Sequence, residues 1–461
     1  MWRKMLLILS GNASAALLLI VRNLIVARLI PVEDYGIAAT FAMTMALVEM
    51  TTQFGLQQQI IQDKDGEDPH FQAVLQGFQL LRGLVAGGLL FALAGPIASF
   101  LRIPEVAWAY QVMAVMPVLR SLQHFDIHRL NRTMRFGPML WTSVVPALVS
   151  LAVVFPLALW LGDFRVMLWA LVLQETLGAL TSHLVAERRY RLAADWAIAG
   201  NSLRFGWPLL LNGVLLFLVM QGDKVIVGRE IGMVALGIFG MGVTLTLTPT
   251  LILAKTTQNF FLPMLSKAEA GTAANDRLNT TILQAVMLLS LFFVVGIILA
   301  ADPLVHGVLG EKFAPLVPLL PWLALVQAFR ILKVGPTVIV IARGQTKKLV
   351  WANIPRAVLL VPTFWIVTEG GGLLSVVLMA LVGEALGFFI TMALVGKGLR
   401  LGTLVVSTLA TVFVLGLCAI QAGGWLPGPS WAGILMCLLA LTLALPTFRP
   451  LAQFIRSRTT T

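Results

Sequence analysis

The sequence predicts an all-α membrane protein of about fourteen transmembrane helices. They form two pseudo-symmetric six-helix bundles and a further C-terminal helix pair, with both termini cytoplasmic. Three observations predict it. Hydrophobic residues make up 58 % of the chain and charged ones 12 %, and the mean hydropathy is +0.90. A soluble domain is nearer half apolar and a quarter charged. Apolar runs of about 20 residues, the length of a membrane-crossing helix, recur from end to end. The chain also repeats itself. At one constant offset of 201 residues Val26 falls on Val227, Arg28 on Arg229, Ile30 on Ile231, Gly36 on Gly237 and Ile37 on Ile238. Internal repeats are a signature of transporters that alternate access around a midplane site.

The predicted spans begin near Met5, Ile37, Val74, Val106, Met139, Val166, Leu203, Met233, Thr281, Leu316, Leu349, Leu373, Leu401 and Trp431. The first run follows Arg3 and Lys4 as a signal peptide does. Ser10, Gly11, Asn12 and Ser14 interrupt it, and it continues through Leu29 without a cleavage signal, so it reads as a membrane helix. Residues 1–200 and 201–400 make the two bundles and residues 401–461 the extra pair and tail. Basic residues beside the spans fall 19 on one set of connections and 5 on the other, which places the richer set and both termini in the cytoplasm. Six spans separate the two copies, so the repeat is parallel.

Eight basic residues lie within the predicted spans: Arg22, Arg82, Arg120, Lys224, Lys255, Arg330, Lys333 and Arg356. Five acids join them: Glu49, Asp126, Glu175, Asp223 and Glu384. A cation at helix centre costs about 2.5–3.5 kcal/mol even on insertion scales, so these side chains are expected to line a watered interior. Arg82, within two turns of the inner boundary, reads instead as a snorkelling residue. Helical spacing supports coherent polar faces. Gln327, Arg330, Lys333 and Thr337 share one wedge, Thr244, Thr248, Lys255 and Asn259 another, and Thr40, Thr44, Thr51 and Gln58 a third. Such threonine stripes serve equally as helix-packing surfaces. Asp223, Glu384 and Glu49 are the candidates for ion coupling, although Glu49 points away from its helix's stripe.

Other signals carry less chemistry. Cys418 and Cys437 lie in late apolar runs and read as neither a disulfide nor a metal site. His124 and His128 have metal-compatible spacing without a third ligand, and an interfacial position explains them. GLVAG at Gly83 and GREIG at Gly228 match the small-residue packing pattern. No nucleotide-binding or catalytic motif is visible, which argues against ATP-driven transport and against a cofactor. The net charge of +12 sits on loops beside spans, so it marks orientation rather than nucleic-acid binding.

Several stretches together resemble the polysaccharide biosynthesis (Wzx-type) family of lipid-linked oligosaccharide flippases. That family lies within the multidrug/oligosaccharidyl-lipid/polysaccharide exporter superfamily. The stretches are ARLIPVEDYGI from Ala27, GDKVIVGREIGMVALGIF from Gly222, FLPMLSK from Phe261, LGEKF from Leu309 and ARGQTKK from Ala342. The resemblance implies two bundles around a central cavity that opens alternately to each side. It implies as cargo an undecaprenyl-pyrophosphate-linked oligosaccharide moved to the periplasmic leaflet of the bacterial inner membrane. A coupling proton or sodium ion, or the membrane potential, and polysaccharide polymerase machinery are the further implied partners. The substrate-binding candidates are then Arg22, Arg120, Lys224, Lys255, Arg330, Lys333 and Arg356. A multidrug or cation antiporter of the same superfamily would want an acidic cavity. A membrane-embedded polymerase or ligase would want a richer outer loop than 301–314, which offers Asp302, His306, Glu311 and Lys312.

Overall fold

The computed structural model describes residues 2–52, 54–269, 272–395 and 416. Every regular element among them is helical. The first twelve predicted spans each coincide with helix, and the two beginning at Leu401 and Trp431 lie outside the described residues. Eight described helical segments are long and apolar enough to cross a membrane. The chain divides into two compact units, residues 1–237 and residues from Ile238 onward.

The first unit contains α1 (Trp2–Leu29), α2 (Val32–Thr52), α3 (Leu56–Gln62) and α4 (Pro69–Phe100). It continues with α5 (Ala107–Met113), α6 (Val115–Ser121), α7 (Asp126–Arg132), α8 (Gly137–Leu161), α9 (Arg165–Leu184) and α10 (Trp196–Ile226). A π-helical turn, Val227–Ile231, leads into α11 (Met233–Lys267). α8 pairs with α9 and carries α1, while α4 carries α5 and α6 and α2 packs on α10. Lipid tails are as apolar as leucine, so these helices associate through close packing at small residues rather than by expelling water. Gly83 and Gly87 show how. A Cβ on Gly83 would lie 2.2 Å from Ser121 Oγ, and one on Gly87 2.6 Å from the Ala114 carbonyl, so α6 rests directly on the α4 backbone. The repeat-matched glycines also meet: a Cβ on Gly36 would lie 1.9 Å from the Met233 carbonyl and 3.1 Å from the Gly237 amide.

The second unit holds the rest of α11, then α12 (Ala273–Asp302), α13 (Leu320–Ala342), α14 (Ile354–Val358), α15 (Leu360–Thr368) and α16 (Leu373–Val395). α13 packs on both α12 and α16. Some 72 % of its apolar window is buried, so polar side chains on it face protein.

Two predicted spans are broken, and proline accounts for both. Pro117 has no amide for the Met113 carbonyl, and the fourth span divides into α5 and α6 there. The eleventh is a 3₁₀ segment, Thr346–Ala352, followed by α14 and α15. Pro355 stands in the first turn of α14, and Pro362 deprives the Val358 carbonyl of its partner. The polar stripe on the second span is also shorter than expected. α2 ends at Thr52, Gly55 turns the chain at φ 67°, and Gln58 stands on α3.

Candidate functional site

Four of the predicted site residues come together in the second unit. Glu384, the only charged residue in α16, is 1 % exposed. Its Oε1 accepts from Arg330 Nε at 2.7 Å and its Oε2 from Lys333 Nζ at 3.0 Å, both from α13. Arg356 of α14, itself 2 % exposed, brings Nε to 3.9 Å from Oε1. Lys333 Nζ also donates to Asn353 Oδ1 at 3.5 Å. Glycines on either side of the acid permit this density. A Cβ on Gly383 would lie 3.0 Å from Arg356 Cδ, and one on Gly387 2.6 Å from the Ala352 carbonyl. Among the described residues, three cations gather around this one carboxylate in a mostly enclosed place. Burying charge is expensive unless it is paired. Such a gathering favours an anion.

The other predicted cations stand elsewhere. Arg22 on α1 is buried in a clamp of its own, donating to Ser150 Oγ on α8 at 3.0 Å and to Gln174 Oε1 on α9. Ser150 Oγ donates in turn to the Ala170 carbonyl at 3.1 Å. Arg120 on α6 pairs with Glu49 on α2 at the wall of a polar cavity of about 100 Å³. Arg82 and Gln79 of α4, with Gln57, Gln58 and Gln123, line the same cavity. There Arg82 Nη1 donates to the Thr52 carbonyl at 3.1 Å. Asp223 and Lys224 are half-buried in the last turn of α10, before the π turn. Lys255 is exposed on α11 beside exposed Asn259, whereas Thr246, Thr250 and Thr257 on that helix are buried.

Asp126, expected within a span, stands on the short α7 and organises the basic face of the first unit. It accepts Arg129 Nε at 2.5 Å and the amides of Glu187 and Arg188 at 2.7 and 3.2 Å. Burial alone would push its carboxyl up, but these donors and the Arg129 charge hold it below the usual carboxylate range. His128 beside it is buried, which pushes its imidazole down to about 4. His124 stacks edge-on against His183 and Tyr190. Near the ends of α4 and α10, Arg102 and Arg229 both bind Glu230, at 2.9 and 2.8 Å, and Arg229 lies over the Phe100 ring.

Periodicity alone did not single out Asn353, Gln174, Ser150 or the cavity role of Arg82. The Gly-Glu-x-x-Gly spacing at Gly383, Glu384 and Gly387 is the one sequence signal that marks Glu384 as a crowded helix crossing.

These helices define a class before they define a family. The fold is one shared with solved membrane transporters. A solved structure of the lipid II flippase MurJ in an inward closed conformation superposes with a TM-score of 0.69 at 13 % identity, over 99 % of this chain and 100 % of that one. An inward-facing multidrug resistance MATE family transporter of the MOP superfamily gives 0.66 at 15 % identity, over 83 % of this chain and 95 % of that one. Within the class, residues 25–318 match the family model for polysaccharide biosynthesis proteins, and the chain belongs to that family. It is 21 % identical to the teichuronic acid biosynthesis protein TuaB of Bacillus subtilis (strain 168) over 59 % of this chain and 57 % of that protein. It is 21 % identical to the lipopolysaccharide biosynthesis protein WzxC of Escherichia coli (strain K12) over 80 % of this chain and 76 % of that protein.

Proposed function

We propose that this chain is a flippase. It carries an undecaprenyl-pyrophosphate-linked oligosaccharide from the cytoplasmic to the periplasmic leaflet of the bacterial inner membrane by alternating access. The observation that carries the reading is the gathering of Arg330, Lys333 and Arg356 around Glu384, three bases to one acid among the described residues. A pyrophosphate diester bears two negative charges, so the head group pairs with these bases while the polyprenyl tail stays in lipid. Arg120, Lys224, Lys255 and Arg22 are further proposed cations on the route. Glu384, Asp223 and Glu49 are the acids through which a proton or sodium gradient would couple. The relatives' roles in making teichuronic acid and lipopolysaccharide support the cargo class. The gathering of bases disfavours the multidrug reading, because a cationic drug would be repelled from this cluster.

Flipping of fluorescent lipid-linked sugar in proteoliposomes tests the proposal. Arg330→Gln and Lys333→Gln each remove one charge-assisted contact to the head group, worth about 1.5–3 kcal/mol, so transport falls roughly 10- to 100-fold. Unchanged flipping in both variants, with normal helical content, overturns the cation-cluster mechanism.

A further inference from the structure

We propose a second lipid site, for an anionic phospholipid, on the flank of the first unit. It does not rest on the transport activity proposed above. Residues 188–195 form a strap between α9 and α10 that lies across α4. The Ala193 amide donates to the Ala73 carbonyl at 3.1 Å. Beneath it is Gly77, where a Cβ would come within 2.5 Å of the Ala193 carbonyl.

Two cavities adjoin the strap. One, of about 190 Å³, is lined by Arg188, Arg189 and Arg191 of the strap and by Gln72 and Gln76 of α4. Arg188 is held in place by Gln72 Oε1 at 3.0 Å and the Glu67 carbonyl at 2.8 Å. Arg189 and Arg191 are exposed. Gln76 is 1 % exposed, and its Nε2 donor is buried with no hydrogen-bond acceptor. Leaving such a donor unmet is costly, and it points to a bound oxygen. The other cavity is an apolar groove of about 460 Å³, lined by Val74, Phe78, Leu81 and Leu84 of α4 with Leu192 and Trp196. The one acid at its edge, Asp195, is occupied in capping α10, where it accepts the amides of Ala197 and Ile198.

The chemistry selects the occupant. Guanidinium groups recognise phosphate oxygens, and a groove of leucines with an interfacial tryptophan accepts a hydrocarbon chain. A free phosphate leaves the groove empty, and a zwitterionic lipid leaves the arginines opposed by its own cation. A phospholipid of net negative charge satisfies both cavities at once. Basic pockets beside membrane helices bind such head groups.

The test is native mass spectrometry of the full chain in detergent, with phosphatidylglycerol, phosphatidylcholine and glycerol 3-phosphate as probes. The expected result is tight retention of phosphatidylglycerol and weak retention of the other two. Arg189→Gln/Arg191→Gln, which removes two exposed charges, weakens phosphatidylglycerol binding by about 30-fold. Leu84→Asn weakens it through the groove alone. Should the double variant not purify, Arg191→Gln carries the same comparison at about fivefold. Phosphatidylcholine held as well as phosphatidylglycerol, glycerol 3-phosphate held as well as the lipid, or undiminished binding in these variants overturns the proposal.

Discussion

Glu384→Gln is the most informative single change in this protein. The side chain keeps its shape, yet Arg330 at 2.7 Å and Lys333 at 3.0 Å lose their counter-charge. Removing one partner of a buried ion pair costs about 3–5 kcal/mol, because the other charge is left uncompensated. Here the two basic side chains are 12 % and 17 % exposed, so some solvent screening remains and the lower figure of about 3 kcal/mol applies. That is roughly a hundredfold fall in the ratio of folded to unfolded protein. Lys333→Gln should cost only about 1 kcal/mol, since the acid keeps Arg330 and Arg356. The double variant should then be more stable than Glu384→Gln alone, because one orphaned cation has been removed. The assay is unfolding of the purified protein in micelles, followed by tryptophan fluorescence. Added pyrophosphate should raise the midpoint of Glu384→Gln more than that of the wild type, because it supplies the missing negative charge. A double variant no more stable than the single one, together with no pyrophosphate effect, would show that the cluster is not held by its acid.

Further outcomes follow from the packing and the loops. Gly87→Ala places a Cβ 2.6 Å from the Ala114 carbonyl and should cost about 1–3 kcal/mol, whereas Gly88→Ala, with nothing within 4 Å, should stabilise slightly; melting midpoints decide. Arg22→Lys keeps the charge but not the two-acceptor geometry to Ser150 and Gln174, so stability should fall by about 1 kcal/mol, read from the melting midpoint. Acidification should loosen α7. The folded His128 value of about 4 lies below the unfolded value of about 6.5, so the unfolded chain takes the proton first. Stability is then lost as pH falls from about 6.5 to about 4, by up to roughly 3 kcal/mol. Asp126, also depressed, adds a loss at lower pH, as the pH falls from the unfolded carboxylate value through its folded one. Hydrogen exchange across residues 126–132 should show the first loss in the wild type and not in His128→Leu.

Directions were legible in the sequence, and partners were not. Helical spacing alone sets Gln327, Arg330, Lys333 and Thr337 on one face of α13, and Arg330 and Lys333 do converge there on a single acid. The repeat aligned Gly36 with Gly237, and the close approach of their backbones leaves no room for a Cβ at either. Arg22 shows the limit. Its acceptors lie 128 and 152 residues away, and helix packing rather than periodicity chose them. Glu49 is the same case. Its position off the threonine stripe was readable, but its pairing with Arg120 depends on how α2 and α6 approach. Asp126 is a third case, since the break after Ser121 sets it on α7, where it accepts the Glu187 amide and ties down a basic loop.

The two units therefore treat charge differently, and the difference bears on which one would grip the proposed doubly negative cargo. In the first, the cavity bases are Arg82 and Arg120, and Arg120 is paired with Glu49. That cavity has two bases to one acid and is rich in glutamine, a setting for hydrogen bonding to neutral groups. In the second, three bases gather around Glu384 among the described residues, a setting that favours an incoming anion. Flipping should accordingly respond more to charge-removing changes at Arg330 or Lys333 than to Arg120→Gln. Removing Arg120 together with Glu49, as Arg120→Gln/Glu49→Gln, preserves the charge of its cavity and should restore most of what Arg120→Gln alone loses. A pyrophosphate held chiefly in the first unit would reverse that order, and the same proteoliposome assay reads it.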